Sequence, residues 1–350
     1  MAKSSLTKET LHFLNKMRKF LLHMAMVLLS FSIFGQDIHF SQFNRSYQNL
    51  SPALTGSFDG DYRFNGNFRN QWASVSEPYR TFSAAVDASH PISKMPELKI
   101  GLVFINDEAG VGGLKSTTFN SNFAYHFKVD IDSTWIVKTG LSLGFSARSV
   151  NFNKFTYDSQ YSGRAFDPNL PSGEDFERNS LAHLNLGTGF GLEHRLSSTD
   201  KIEVGLSAFN LTSPNITFDN QSARLDVRTS IYVLSQFQLK EKLTLLPSLL
   251  YSSQDKYREF VIGSQLRYQF EGQGGFSNLY GGVFLRTGDA FIFTTGLDYE
   301  NWNFGLSYDV NYSELQTSSN RRGGLELSVT YIFKKYVPNL SRYKICPNFM

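Results

Sequence analysis

The last third of the chain alternates between large apolar and small polar residues. From Trp302 to Tyr312 every even position is aliphatic or aromatic, and every odd position is Asn, Gly, Ser or Asp. Residues 290–299 and 324–333 repeat the pattern with few departures, such as Ile332. Because successive side chains of a β-strand point to opposite faces, each run predicts a strand with one apolar and one polar face.

Two kinds of structure contain strands of this type. In a soluble sandwich the apolar face packs on a second sheet, whereas in an outer-membrane barrel it faces lipid and the polar face lines the lumen. Large aromatic residues opposite Gly, Ser, Asn and Thr are typical of the barrel. A soluble protein with so many strands of this kind would expose a large apolar surface, which disfavours that alternative.

Similar runs follow one another from residue 62 to residue 333. We predict fourteen strands, at 62–72, 81–90, 98–106, 116–129, 134–150, 181–196, 201–211, 223–239, 243–253, 259–270, 278–286, 290–299, 302–312 and 324–333. Membrane strands have roughly 9–11 residues, which suits this spacing. The sequence therefore predicts an all-β fold: a single antiparallel, up-and-down transmembrane β-barrel of about 14 strands in the outer membrane.

The connections between these strands predict an orientation. Short connections lie at 130–133, 197–200, 240–242 and 300–301, and the longer ones at 151–180, 212–222 and 313–323 fall on the other side. Outer-membrane barrels have short periplasmic turns and longer outside loops. With an even number of strands, we expect both termini of the mature chain in the periplasm.

The first 35 residues predict a secretory signal peptide. Lys16, Arg18 and Lys19 precede an apolar run at 20–34, and cleavage is expected before Gln36. The polar stretch before Lys16 is long, so Met17 is a second candidate for the start. A single membrane anchor is the alternative, but the run is short for a span of roughly 20 residues.

Two further segments flank the predicted barrel. Residues 36–61 are rich in Asn, Gln, Ser and Gly without a sustained period, and we expect an irregular lead-in that either plugs the lumen or lies in the periplasm. Residues 334–350 form a basic tail, expected in the periplasm. Cys346, Pro347 and Phe349 in this tail are together a candidate contact site for a partner protein. The alternative is a passive tail.

Charge and cysteine content exclude several classes of protein. The whole chain has a net charge of +3, but its first 35 residues carry five basic residues and Glu9, so the mature chain has 3 − 4 = −1. No nucleic-acid partner is therefore implied. A single cysteine, Cys346, excludes an internal disulfide framework and a multi-cysteine metal site.

The sequence offers little for catalysis or for binding a cofactor. His183 and His194 are eleven residues apart on one predicted strand, so they face opposite sides of the sheet and do not bind one metal. The glycines at 187, 189 and 191 alternate along a predicted strand and precede no predicted helix, so they are not a phosphate-binding loop. We therefore expect no catalytic, cofactor-binding or metal-binding residues, and no enzyme.

The longest predicted connection is a candidate binding surface. Residues 152–179 carry several aromatic side chains, and loops of this length are usually functional or disordered. We predict that this loop contacts an exported protein; a lid folded into the barrel mouth is the alternative. The candidate contact residues are Tyr157, Tyr161, Phe166 and Phe176.

Several short motifs together resemble the PorP/SprF family of type IX secretion outer-membrane proteins. Gln36-Asp37 with Phe40-Ser41-Gln42-Phe43 and Pro52-Ala53 with Gly56 resemble its amino-terminal pattern. Arg69-Asn70-Gln71-Trp72, Phe304-Gly305-Leu306-Ser307-Tyr308-Asp309 and Cys346-Pro347 with Phe349 resemble later parts of it. The resemblance covers essentially the whole mature chain, although Ser51 and Asn348 depart from the family pattern.

The resemblance implies a 14-strand barrel that acts in type IX secretion of Bacteroidetes without chemistry of its own. Its expected partners are the secretion machinery in the periplasm and outer membrane, a large secreted surface adhesin of the kind used in gliding, and the lipid bilayer. Membership of the core machinery and partnership with one adhesin both stay open. The main alternative is a passive outer-membrane channel or small-molecule transporter, which requires an open lumen.

Overall fold

A computed structural model describes residues 37–71, 77–110, 112–163, 165–174, 176–219, 222–270, 275–313 and 322–335. The predicted signal peptide lies outside these residues. The same holds for the tail beyond residue 335, which contains Cys346, Pro347 and Phe349. The predicted roles of both segments therefore stay predictions.

The described residues contain fourteen antiparallel strands that close into one barrel. Each strand pairs with its neighbours in sequence, and β1 pairs with β14 from Tyr62 opposite Phe333 to Asn70 opposite Leu325. The predicted fold class is confirmed. The strands are β1 Tyr62–Gln71, β2 Tyr79–Ala88, β3 Leu98–Ala109, β4 Leu114–Lys128, β5 Trp135–Ser149, β6 Ser180–Arg195, β7 Lys201–Phe209, β8 Arg228–Lys240, β9 Leu243–Gln254, β10 Tyr257–Gln269, β11 Phe276–Arg286, β12 Ala290–Tyr299, β13 Trp302–Asn311 and β14 Arg322–Phe333.

The largest difference from the predicted boundaries lies at the start of β8. We expected this strand from residue 223, but it begins at Arg228. Asn215 and Arg224 form an antiparallel bridge, and the Ile216 amide donates to the Ala223 carbonyl at 2.9 Å. These residues therefore pair within their own loop, so they are not available to extend the barrel wall.

The described part of the chain contains few helical turns. Tyr47–Leu50 form one α-helical turn, and 3-10 turns lie at Phe43–Arg45, Pro52–Leu54, Phe152–Lys154 and Asp158–Gln160. Within the described ranges, no helix is both long enough and apolar enough to span a membrane.

The two faces of the barrel wall have inverted polarity compared with a soluble protein. Outward-facing Phe293 and Leu143 are 51% and 50% exposed, whereas inward-facing Asp309 and Glu326 are both 1% exposed. Outward aromatic rings pair near one end of the barrel, as in Tyr62 with Phe333 at 6.2 Å between centroids. An apolar exterior with aromatic residues near its edge fits a lipid environment.

The turn between β4 and β5 is fixed by a side chain. The Asp130 carboxylate accepts hydrogen bonds from the Thr134 hydroxyl and from the backbone amides of Thr134 and Trp135, the latter two at 3.0 and 2.8 Å. These bonds favour the charged carboxylate and lower the pKa of Asp130 to about 2. The carboxylate is therefore ionised at neutral pH and caps this short connection.

Candidate functional site

Residues 37–61, which we call the lumen segment, run through the inside of the barrel. At one end, the Asp37 amide donates to Gln254 Oε1 at 2.9 Å, and Asn210 Nδ2 donates to the Asp37 carboxylate at 2.6 Å. At the other end, the Asp61 amide donates to the Phe333 carbonyl at 2.9 Å. The segment therefore crosses from the mouth that carries the long connections 150–179 and 210–227, the long-loop mouth, to the opposite, short-turn mouth.

This path places the two described ends of the chain at opposite mouths. Asp37 lies at the long-loop mouth, whereas Lys334 follows β14 at the short-turn mouth and pairs there with Asp59 at 3.0 Å. Our expectation that both mature termini lie in the periplasm stays a prediction, because both termini lie outside the described residues. The sequence reasoning counted strands but took no account of the lumen segment, which adds one further crossing.

A buried network of charges holds the start of the lumen segment. The Glu326 carboxylate accepts the backbone amides of Ser41 and Gln42 at 2.7 and 2.9 Å, and the Ser41 hydroxyl donates to Asp309 at 2.8 Å. Arg69 and Arg286 pair with Asp309 at 3.2 and 3.0 Å. Because these charges are buried together, removing one of them leaves its partners unpaired at a large energetic cost.

A second network holds the end of the lumen segment near the short-turn mouth. Arg63 pairs with Asp87 at 2.6 Å and donates to the Leu54 carbonyl at 3.2 Å. Asp87 also accepts the Gly56 amide at 2.6 Å, and the Arg63 guanidinium lies 4.0 Å from the Tyr47 ring centroid. One ion pair of the barrel wall therefore fixes the lumen segment at several points.

A neighbouring ion triad fixes the next part of the segment. Lys138 lies 2.8 Å from Glu193 and 2.7 Å from Glu203, and its ammonium donates to the Ser57 hydroxyl at 2.6 Å. Only one of the lysine's three donors goes to the lumen segment. The triad is therefore mainly a feature of the wall on β5, β6 and β7, to which the segment adds one contact.

The apolar residues of the lumen segment pack on an apolar patch of the inner wall. Phe43 meets Phe284 edge to face, with ring centroids 5.9 Å apart. The cluster contains Phe43, Leu50 and Leu54 of the segment and Tyr232, Leu250, Val261, Phe284 and Ile292 of the wall. Apolar burial therefore adds to the polar networks in holding the segment inside the barrel.

Glycines of the inner wall allow the segment to approach the strands closely. A Cβ atom at Gly140 would lie 2.3 Å from the Ala53 nitrogen and 2.4 Å from the Pro52 carbonyl carbon. His126 Nε2 lies 3.0 Å from the Ala53 oxygen. The Pro52–Leu54 turn is thus pressed against the wall at backbone distance.

We expect the Gly140→Ala substitution to loosen this turn. The added methyl group meets the backbone of the segment, and overpacking of this kind costs about 1–3 kcal/mol. Amide hydrogen exchange at residues 53–55 should then become about 5- to 150-fold faster. Gly281→Ala is the matched control, since Gly281 faces outward with nothing within 4 Å of the added carbon. Equal exchange in both variants would contradict the close fit.

The candidate residues of the long loop fall into two groups. Tyr157 and Phe176 belong to a packed cluster, in which Phe176 stacks on Phe152 at 3.6 Å between centroids and the Tyr157 hydroxyl donates to the Phe152 carbonyl at 3.0 Å. Tyr161 and Phe166 form a separate bridge with rings 6.5 Å apart, and Tyr161 is 64% exposed. The second group is the freer contact surface.

The loop between β7 and β8 packs against the long loop. Phe152 meets Phe218 edge to face at 5.8 Å between ring centroids. The Arg178 amide donates to the Phe218 carbonyl at 3.4 Å, and its guanidinium donates to the Thr217 carbonyl at 3.0 Å. The two loops therefore form one joint surface beside the barrel mouth. Sequence reasoning treated them separately.

The histidines of β6 lie on opposite faces of the wall, in agreement with their odd spacing. His183 faces the lumen, whereas the His194 ring stacks on Trp135 with centroids 3.8 Å apart on the outside. Among the described residues, no group of three or more His, Cys, Asp or Glu side chains has the arrangement of a metal site.

Sequence reasoning missed the residues that hold the lumen segment. Arg69, Asp309, Glu326, Arg63 and Asp87 all lie on the polar face of predicted strands, where small residues predominate. Large charged residues at such positions need partners inside the barrel, and this was the available signal. The sequence did not show which residues of the lumen segment these charges contact, because partners such as Ser41 and Glu326 are 285 positions apart.

The chain is similar to known outer-membrane proteins at two levels. A family model described as "Type IX secretion system membrane protein PorP/SprF" matches residues 32–331. No curated protein is similar enough to match the chain. Similar solved structures include the toluene transporter TbuX of Ralstonia pickettii, with a TM-score of 0.49, 10% identity, and coverage of 83% of this chain and 94% of that one.

Two further structures have comparable similarity. A FadL homologue of Pseudomonas aeruginosa has a TM-score of 0.48 and 12% identity, with coverage of 87% of this chain and 96% of that one. The KdgM porin has a TM-score of 0.38 and 8% identity, with coverage of 77% and 99%. The transport activities in these descriptions belong to those proteins.

Proposed function

This chain belongs to the PorP/SprF family of type IX secretion system membrane proteins, and from that premise we propose that it supports the export or the cell-surface attachment of secreted adhesins. It does so through protein contacts, without chemistry of its own. The observation that carries the proposal is the lumen segment, which is held inside the barrel by buried charges at both ends. A barrel filled in this way is suited to binding at its mouths.

The same observation disfavours the alternative of a passive channel. A diffusion channel needs an open path between its two mouths. Here the Pro52–Leu54 turn lies against Gly140 and Gly189 of the wall, and Phe43 packs on the opposite side against Phe284. Segment residues thus contact distant parts of the inner wall.

The proposal assigns one mouth to each side of the membrane. Outer-membrane barrels carry long loops outside and short turns in the periplasm. We therefore place the joint surface of the two long loops outside, where exported proteins pass. The short-turn mouth then faces the periplasmic machinery together with the tail 334–350, including Cys346, Pro347 and Phe349. The amino-terminal end at Asp37 then lies at the outer mouth.

Replacement of residues 158–174 by a short Gly-Ser linker tests the outer surface. This change removes Tyr161 and Phe166 but keeps Phe152, Tyr157 and Phe176 in their packed cluster. We expect normal barrel assembly, measured as heat-modifiable migration, and a severalfold loss of adhesin from the cell surface. A Tyr161→Ala/Phe166→Ala double variant should reproduce most of the loss. Normal display in both variants would contradict a role of this loop in binding exported protein.

A further inference from the structure

The outward face of the barrel carries a row of charged side chains at the long-loop mouth. Strand pairing places Arg80 of β2 opposite Glu108 of β3, and Glu108 opposite Lys115 of β4. Residues that pair directly across an antiparallel sheet point to the same face. Arg80 lies two residues from outward-facing Phe82, which is 44% exposed, so the whole row faces outward.

A third basic residue, Lys154, reaches this row from the long loop. The Asn151 amide donates to the Gly112 carbonyl at 3.1 Å and holds the start of the loop against the connection between β3 and β4. A Cβ atom at Gly113 would lie 3.5 Å from Lys154 Nζ and 3.7 Å from Glu108 Oε1. The ends of these two side chains therefore lie near the same point of the barrel rim.

The positive charges of this group exceed the negative one. Lys115 Nζ lies 3.9 Å from Glu108 Oε1, and the two side chains are 54% and 39% exposed. Arg80 and Lys154 are exposed and have no ion pair within 4.0 Å among the described side chains. We call Arg80, Glu108, Lys115 and Lys154 the rim cluster. With three basic residues and one acidic residue, it has a net charge of +2.

The neighbouring part of the rim has no such concentration of charge. Neutral residues occupy the outward positions of β5 to β9 near this mouth, namely Ser149, Ser180, Ala208, Thr229 and Ser253. Among the described strand positions that follow, the next outward charge is Arg258 of β10, which pairs with Ser253. The rim cluster therefore marks one sector of the barrel, on β2, β3 and β4.

The rim cluster lies just beyond the lipid-facing band of the wall. Phe82 packs against Phe104 with ring centroids 6.5 Å apart, and both rings are exposed on the outward face. The two residues from Phe82 to Arg80 span about 7 Å along the strand and less along the membrane normal, because the strands tilt. The headgroup region extends about 5–8 Å beyond the hydrocarbon core. The charged groups therefore lie at the level of the lipid headgroups.

Position and charge together restrict the ligand. Arginine and lysine side chains bind phosphate oxygens through charge-assisted hydrogen bonds. A lipid whose acyl chains lie along Phe82 and Phe104 brings its phosphate to the height of the cluster. A zwitterionic lipid carries its own cation, which weakens its attraction to three basic side chains. The outward position thus favours a lipid, and the excess charge favours an anionic one.

We propose that the rim cluster binds the phosphate of an anionic lipid in the leaflet at the long-loop mouth. The phosphate contacts Arg80, Lys115 and Lys154, and the acyl chains lie against the outward aromatic residues of β2 to β4. Because Lys154 belongs to the long loop, the bound lipid joins this loop to the barrel wall. The site does not depend on the proposed function in export.

Native mass spectrometry of the detergent-purified barrel measures the binding. Dipalmitoyl phosphatidic acid and dipalmitoyl phosphatidylcholine have the same acyl chains and differ in headgroup charge. We expect phosphatidic acid to bind at least tenfold more tightly. Each basic residue near a membrane surface contributes about fivefold to the binding of an anionic lipid. The triple variant Arg80→Gln/Lys115→Gln/Lys154→Gln should therefore bind phosphatidic acid about 100-fold more weakly and should lose the preference between the two lipids.

Two single variants make the test specific. Glu108→Gln should strengthen the binding of phosphatidic acid about fivefold, because it removes the carboxylate that repels the phosphate. This gain of binding does not arise from a misfolded protein. Arg258→Gln is the matched control, since Arg258 is an exposed outward arginine at the same mouth outside the cluster. It should change the binding less than twofold. Heat-modifiable migration checks that every variant forms a barrel.

Several results would overturn the proposal. The parent protein would bind the two lipids equally, Glu108→Gln would not strengthen binding, or Arg258→Gln would lose as much binding as the triple variant. Inorganic phosphate that displaces phosphatidic acid at equal concentration would show a site for a free anion. A hexaglutamate peptide that binds more tightly than phosphatidic acid would show a site for an acidic polypeptide, and either result contradicts a lipid site.

Discussion

Removal of residues 38–57 is expected to convert a closed barrel into a conducting pore. These residues form nearly all of the lumen segment, and the wall around them is lined by polar and charged side chains. Small barrels of eight strands are filled by their own side chains, whereas barrels of 16–18 strands leave an aqueous channel. Fourteen strands without an internal segment should therefore enclose water. Planar-bilayer recordings should show discrete conductance steps for the variant and none for the parent.

The long-loop variant provides the control for this experiment. Replacement of residues 158–174 shortens the chain by a similar number of residues, but outside the lumen, so its bilayers should stay silent. Circular dichroism and heat-modifiable migration establish that both variants form barrels. Steps of equal size in the parent protein would contradict a closed lumen and favour the channel alternative.

The second large effect is expected from Asp87→Asn. This substitution keeps the shape of the side chain but leaves Arg63 charged and buried, with side-chain exposures of 2% and 0% for the two partners. Removing one member of a buried ion pair costs about 3–5 kcal/mol. Urea unfolding in lipid vesicles, followed by tryptophan fluorescence, should show a lower midpoint with an unchanged slope.

Two comparisons make this prediction specific. Asp59→Asn removes the carboxylate of an exposed pair with Lys334 at 3.0 Å, and exposed pairs of this kind contribute little. Its midpoint should equal that of the parent. The double variant Arg63→Met/Asp87→Asn should recover part of the loss, because no unpaired charge remains buried. Equal midpoints for Asp87→Asn and the parent would show that the lumen side of this pair is hydrated.

The barrel wall was predictable from sequence because one physical rule governs it. Lipid on one side and a polar lumen on the other impose a period of two on every strand. The strand at 290–299 was predicted at the bounds that it has, and the other strands of the described chain were found within a few residues. The start of β8 was not predicted, because Arg224 pairs with Asn215 within their own loop.

The sequence did not decide whether residues 36–61 plug the lumen or lie in the periplasm, because these residues show no hydrophobic periodicity. Its structure depends on side chains hundreds of positions away, such as Glu326 for Ser41. One signal was nevertheless present. The large apolar residues that interrupt the polar face, including Tyr232, Leu250, Val261, Phe284 and Ile292, form the patch on which the segment packs. Departures from alternation therefore marked the docking surface of the segment.

The length and aromatic content of the long loop predicted Tyr161 and Phe166 as contact residues for an exported protein. Their role in binding stays a prediction.

The most direct test of the account is deletion of the coding region, followed by comparison of surface-labelled and secreted proteins with those of the parent strain. The account predicts that exported protein is lost. Loss of one large surface adhesin identifies a dedicated partner, and loss of many secreted proteins together identifies a part of the core machinery. Unchanged surface and secreted proteins, with altered uptake of small solutes, would contradict the account and establish the channel in its place.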